Sequence, residues 1–159
     1  MMNRFSEHLE QRLTAVEPGL RRALVAGHGV DIGTDATAEA IAWACENPKR
    51  AAAIDNLGGY LYRVGQSAAK RLRGRDVLLD VWPVGRVEPR LAGIEPALQA
   101  AMRTLSERQR EVVLMVHGYA YTQVETAELL GCSISAVRTH LKRAMERLRN
   151  EMEVTGERR

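Results

Sequence analysis

Only 4% of the chain is aromatic, with a single Phe among 159 residues. Strands draw on aromatic and β-branched side chains, so this scarcity, beside abundant Ala, Leu and Arg, favours helices over sheets. Long apolar runs are missing as well. Val112 to Val116 is typical of the longest, far short of the ~20 residues that span a bilayer. The N-terminal MMNRFSEHLEQRL has no apolar stretch of signal-peptide length, so a cytoplasmic location is expected. Two cysteines, Cys45 and Cys132, form no CxxC pair. They exclude a disulfide framework or zinc ribbon and are expected as small core residues. No HExxH, GxSxG, P-loop or paired-carboxylate pattern occurs, and the four His are scattered. Enzyme chemistry, a metal and a cofactor are therefore not expected. The stretch from Gly27 to Gly33 approaches a dinucleotide fingerprint, but the spacing is wrong and no strand precedes it.

The charge present is unevenly placed. The formal net charge is only +3, yet residues 60–75 carry five basic and no acidic groups, and residues 132–149 carry five basic and one acidic. Two cationic blocks in an otherwise acidic chain suggest two contacts with a polyanion.

Helical periodicity organises the rest. Leu9, Leu13, Val16, Leu20 and Leu24 recur at three- and four-residue steps, predicting helix over 3–26 with a break at Pro18-Gly19. Gly27 to Gly33 reads as a loop, and 35–46 as an Ala-rich helix ending before Asn47-Pro48. A further helix is expected over about 59–73, with Leu61, Val64, Ala68 and Leu72 on one stripe and Arg63, Lys70, Arg71 and Arg73 largely outside it. Residues 76–95, with Pro83, Gly85, Pro89 and Gly93, read as a linker whose apolar Val77, Leu78, Leu79, Val81 and Trp82 could dock on a neighbour. The expected fold is all-α: a helical domain over 1–75, the linker, and a second helical domain over 96–159.

The second half carries the sharper signals. Pro96 suits a helix start. Ser106-Glu107-Arg108-Gln109 and Thr122-Gln123-Val124-Glu125 are capping boxes. Gly131 suits a left-handed stop, and Ser133 caps a last helix whose Ile134, Val137, Leu141, Met145, Leu148 and Met152 are expected inward. QVETAELLGCSISAVRTHL, Gln123 to Leu141, fits the helix-turn-helix pattern: small Ala127 at the crossing, Gly131 at the turn, Val137 as apolar lock. That geometry offers the second helix to a major groove. Ser133, Ser135, Ala136, Arg138, Thr139, Lys142 and Arg143 are the candidates to reach base edges and phosphates.

The wider segment resembles region 4 of bacterial sigma factors of the extracytoplasmic-function type. The resemblance rests on LSERQREVV from Leu105, ETAELLG from Glu125 and SAVRTHLKRAMERLR from Ser135. Between His117-Gly118 and the first motif helix the chain is about two residues longer than the shortest family form. The N-terminal half resembles region 2: Asp35, Glu39, Ala40, Ile41, Ala42 and Trp43 are similar to the polymerase-clamp helix, and NLGGYLYRVGQSAAKRLRGR to the helix that handles the −10 element. Here Tyr60 stands where a Trp is common, and Ser67 with Lys70 or Arg71 where Asn and Asp are usual. The resemblance implies a two-site reader of double-stranded promoter DNA. Region 4 would take the −35 element, and Tyr60, Tyr62, Arg63, Ser67, Lys70, Arg71 and Arg73 the −10 element. Asp35, Glu39 and Trp43 would face core RNA polymerase, and an anti-sigma factor is a common partner in the family. Tyr60 and Tyr62, two apart on a helix, point in different directions; one is expected to be core and the other to stack an extruded base. The 20-residue linker reaches at most about 66 Å, against roughly 70 Å for two turns of B-DNA. The alternatives are a helix-turn-helix regulator that does not replace sigma, and a helical adaptor with no DNA role.

Overall fold

The computed structural model describes residues 2–75 and 96–156, and every regular element among them is helical. The linker expected over 76–95, with its apolar patch, lies outside the described residues. Four helices form the N-terminal half: α1 (Met2–His28), α2 (Val30–Glu46), α3 (Pro48–Ala52) and α4 (Leu57–Arg75). The C-terminal half has α5 (Pro96–Thr104), α6 (Glu107–Val113), a π turn (Leu114–Gly118), α7 (Gln123–Leu130) and α8 (Ile134–Gly156).

Two breaks expected from the sequence are smaller than their glycines and prolines suggest. α1 runs through Pro18 without ending. Proline inside a helix costs about 3 kcal/mol. Here Leu9, Leu13, Leu20 and Leu24 bury one continuous face on either side of it, which offsets the loss. The loop expected over 27–33 contracts to Gly29, at φ 86°, between α1 and α2. Gly33 lies inside α2, because a Cβ there would come within 2.5 Å of the Val25 Cα; it permits close packing of α1 on α2 rather than a turn.

Both capping boxes form. Ser106 Oγ accepts from the Gln109 N–H while the Gln109 side chain accepts from the Ser106 N–H. Thr122 and Glu125 repeat the arrangement at α7. Between them lies the π turn. The Tyr119 N–H reaches back to the Leu114 carbonyl at 2.8 Å, and Ala120 adopts φ 58°.

One contiguous apolar core joins the two halves. Leu20, Leu24, Leu61 and Tyr62 from the first, and Val112, Met115, Leu130 and Val137 from the second, are all essentially inaccessible. Both cysteines depart from expectation: Cys45 is exposed on the last turn of α2, and Cys132 is half-buried in the turn before α8. Ile134, Met145 and Met152 also differ, at 37%, 38% and 39% exposed. The face of α8 that its own half covers is the narrower stripe of Val137, Ala144 and Leu148, and those three residues lie on its flanks.

Candidate nucleic-acid interface

Helices α7 and α8 meet across a tight elbow. Gly131 sits at φ 61°, ψ 39°, a left-handed conformation that costs an ordinary L-residue roughly 1–2 kcal/mol. The Cys132 N–H closes on the Ala127 carbonyl at 3.0 Å, satisfying the end of α7. Ser133 Oγ accepts from the Ala136 N–H at 3.0 Å and opens α8. Buried Ala127 and Val137 bring the two helices together, so the other side of α8 is left to solvent.

That outer side carries the candidates from the second motif helix. Ser133, Ser135, Arg138, Thr139, Lys142 and Arg143 are exposed, and Ala136 is half-exposed. Arg138 Nε donates to Gln123 Oε1 at 3.2 Å, which holds the guanidinium over the start of α7. His140 lies behind this face. Burial, then Arg108 and Arg143, hold its pKa below the ordinary 6.5, so it adds no charge near pH 7. The face is therefore cationic through Arg and Lys alone.

The N-terminal candidates are more varied. Tyr62 is 1% exposed, its hydroxyl accepting from Arg108 at 3.1 Å and touching the Gln66 amide. It offers no ring face to a base in this arrangement. Tyr60 is half-buried and packs on Trp43, ring centroids 4.8 Å apart, so a residue expected at DNA and one expected at polymerase form a single aromatic pair. Arg50 sits over the other part of that cluster, 5.7 Å from the Trp43 ring. Asp35 is exposed; Glu39 is engaged by Arg71 at 2.7 Å. Arg63 donates to the Gly131 carbonyl at 3.3 Å, and Arg73 pairs with Glu107. Ser67, with its hydroxyl on the Arg63 carbonyl, and Lys70 are exposed.

A polar cluster lies where the halves meet, and it was almost illegible beforehand. Glu111 is fully buried, with Gln66 Nε2 at 2.9 Å from one oxygen and Arg108 at 3.3 Å from the other. Burial pushes its pKa up to about 7 against the lowering pull of Tyr62 and Arg108. Beside it, Arg73 donates to His28 Nδ1 at 2.8 Å. A guanidinium only donates, so His28 must accept there and be neutral. Burial accordingly holds its pKa below 6.5 despite nearby Glu107. For Glu107 burial acts upward, but the Arg73 hydrogen bond and charge outweigh it and its pKa falls. The one legible hint was Glu111 itself, a carboxylate directly before the apolar Val112–Val116 stretch. Its partners on α4 lie 45 and 49 positions away and could not be read.

The described C-terminal half thus has helix-turn-helix geometry, with a cationic outer face on its second motif helix. Residues 96–148 match the family model described as Sigma-70, region 4. An RNA polymerase sigma-E factor of Streptomyces antibioticus is 43% identical over 56 residues, 35% of this chain and 31% of that protein. The chain therefore matches about a third of the length of that curated relative. Among solved structures, the sigma factor RpoE of Bartonella quintana, co-crystallised with the anti-sigma factor NepR, superposes with a TM-score of 0.64. It is 22% identical, over 93% of this chain and 98% of that one. The likeness extends the shared fold across both halves.

Proposed function

We propose that this chain is a sigma factor that binds core RNA polymerase and directs it to specific promoters, without enzymatic chemistry of its own, in the cytoplasm. In this reading residues 1–75 are a region 2-like domain, 76–95 the linker and 96–159 the region 4-like domain. Arg138, Lys142 and Arg143 hold phosphates or read guanine edges in the −35 major groove, with Ser133, Ser135, Ala136 and Thr139 along the same helix. Arg63, Ser67, Lys70, Arg71 and Arg73 meet the −10 backbone, and Tyr60 is the stacking ring, since Tyr62 is core. Asp35, Glu39 and Trp43 face the polymerase. The Bartonella RpoE is in complex with an anti-sigma factor, and a partner of that kind belongs to the proposal.

The observation that carries this reading is the exposed cationic side of α8, set against α7 by left-handed Gly131, within a segment that matches the Sigma-70, region 4 model. Run-off transcription with purified core polymerase over a library of promoter fragments tests it. Added protein is expected to start transcripts at a defined sequence class, with footprints over two elements about two helical turns apart. Arg138→Ala with Lys142→Ala should erase the upstream footprint while the helical circular dichroism is unchanged. No promoter-dependent transcript from any fragment would reject the proposal. Binding to DNA without transcription would return the regulator alternative.

A further inference from the structure

Of the three cations on the outer side of α8, Arg138, Lys142 and Arg143, only Arg138 has a side-chain hydrogen bond among the described residues. Its Nε donates to Gln123 Oε1 at 3.2 Å, joining the second turn of α8 to the first residue of α7. A guanidinium only donates, so the Gln123 oxygen, and not its amide nitrogen, must face it. Both ends of this tie are fixed by the fold. Gln123 is half-buried and follows Thr122, whose capping box with Glu125 sets the start of α7. Arg138 follows buried Val137, which the Gly131 elbow holds beside Ala127.

The bond uses the Nε–H alone. The N–H groups of both terminal nitrogens stay free and form a planar fork at the tip of an exposed side chain. That fork matches guanine O6 and N7 in a major groove. Neighbouring hydroxyls on this face are engaged within α8 or its cap. Ser133 Oγ accepts from the Ala136 N–H, and Thr139 Oγ1 donates to the Ser135 carbonyl, each at 3.0 Å. A phosphate contact needs no brace, because phosphates line the whole groove and a flexible cation can reach them. Reading a base edge needs a plane held in one orientation, and a side chain held beforehand loses less freedom on binding.

We propose that Gln123 is a positioning residue for sequence reading: by holding Arg138 at Nε it aims the terminal fork at a guanine of the upstream element, which makes Arg138 the base reader and leaves Lys142 and Arg143 to the phosphates. The inference rests on the sigma-factor reading above. It divides the work among three cations that charge alone leaves equivalent. In the groove Arg138 still displaces counterions, so its loss lowers affinity in either role. Which sequences are lost tells the two roles apart.

The test uses the full chain bound to core RNA polymerase, with a pool of duplexes of randomised sequence as the probe. Bound duplexes are sequenced, and the preference at each position is read as a ratio between bases. The wild type is expected to prefer guanine at one upstream position by about tenfold or more. Arg138→Ala should abolish that preference and leave the other positions as they were. Gln123→Leu keeps the bulk of the side chain and removes the acceptor. It should weaken the same preference by about threefold or more, at that position alone. Gln123→Glu restores an acceptor, and should keep the guanine preference even though its negative charge lowers binding to every duplex. Combining Gln123→Leu with Arg138→Ala should add nothing to Arg138→Ala. A Gln123 that served only the fold would lower binding to all sequences together and give Glu no advantage over Leu. Helical circular dichroism checks each variant, and Gln123→Ala, the best helix former, replaces Gln123→Leu if that chain unfolds.

An unchanged guanine preference in Gln123→Leu overturns the proposal. So does a Gln123→Glu that loses as much as Gln123→Leu, or an Arg138→Ala that lowers binding evenly across all sequences. In these cases the wild type still enriches a promoter sequence, and the sigma-factor reading stands. A wild-type complex that enriches no sequence at all fails that reading, and this proposal with it.

Discussion

Glu111→Gln offers the sharpest test of the energetics at the junction. The carboxylate faces Gly27 of α1, Tyr62 and Gln66 of α4, and Arg108 and Glu107 of its own helix. Burial lifts its pKa from the ordinary 4.5 to about 7. In the unfolded chain the group loses its proton near 4.5; in the folded chain it keeps it until near 7. The folded state therefore holds more protons across that interval, and stability falls as pH rises through it. At about 1.4 kcal/mol per pKa unit, the full loss is about 3 kcal/mol above pH 7. Glutamine has the shape of the protonated acid and carries no charge. It can keep both contacts if the Gln66 amide turns its oxygen toward the new NH2. Thermal melts followed by circular dichroism from pH 4 to 8 should show the two proteins most alike at pH 4. The variant should be the more stable at pH 8, by up to about 3 kcal/mol. His28 acts in the opposite sense, because its lowered pKa makes acid the unfavourable side. It is present in both proteins and cancels in the difference. Parallel pH profiles for wild type and variant would refute the argument.

Three further outcomes follow from the same contacts. Gly131→Val should destabilise the C-terminal half by about 1–2 kcal/mol or more, because a β-branched residue resists φ 61°, whereas Gly131→Asn should cost less; denaturant melts read the difference. Thr122→Ala removes the cap on the Glu125 N–H and should cost about 1 kcal/mol in the same melts. Arg138→Ala with Lys142→Ala should flatten the slope of log affinity against log salt by about 2 on a duplex probe if both side chains meet phosphates; an unchanged slope would remove them from the interface.

Local chemistry made much of the second half legible. A serine or threonine three residues before a Gln or Glu satisfies free amides through contacts within one turn, so Ser106 and Thr122 announced their helices. Gly131 announced its stop because only a residue at ease with positive φ fits there. The outward run of Arg138, Lys142 and Arg143 followed from the 3.6-residue period once Val137 was placed inside. These are short-range rules, and the sequence determined them alone.

Where partners come from far along the chain, local rules fail. Pro18 looked like a break, but the buried leucines on either side carry α1 through it. Gly33 looked like a loop residue and proved to be the point where α2 touches the α1 backbone. The choice between Tyr60 and Tyr62 depended on which way α4 turns, and the packing of α6 on α1 and α4 settled it for Tyr62. The same packing buried Glu111, neutralised His28 and gave Arg63 and Arg73 partners from the other half. Which residues are helical and which are cationic was written in neighbours a few positions apart; which cations of α4 are engaged was decided only when segments more than thirty residues apart came into contact.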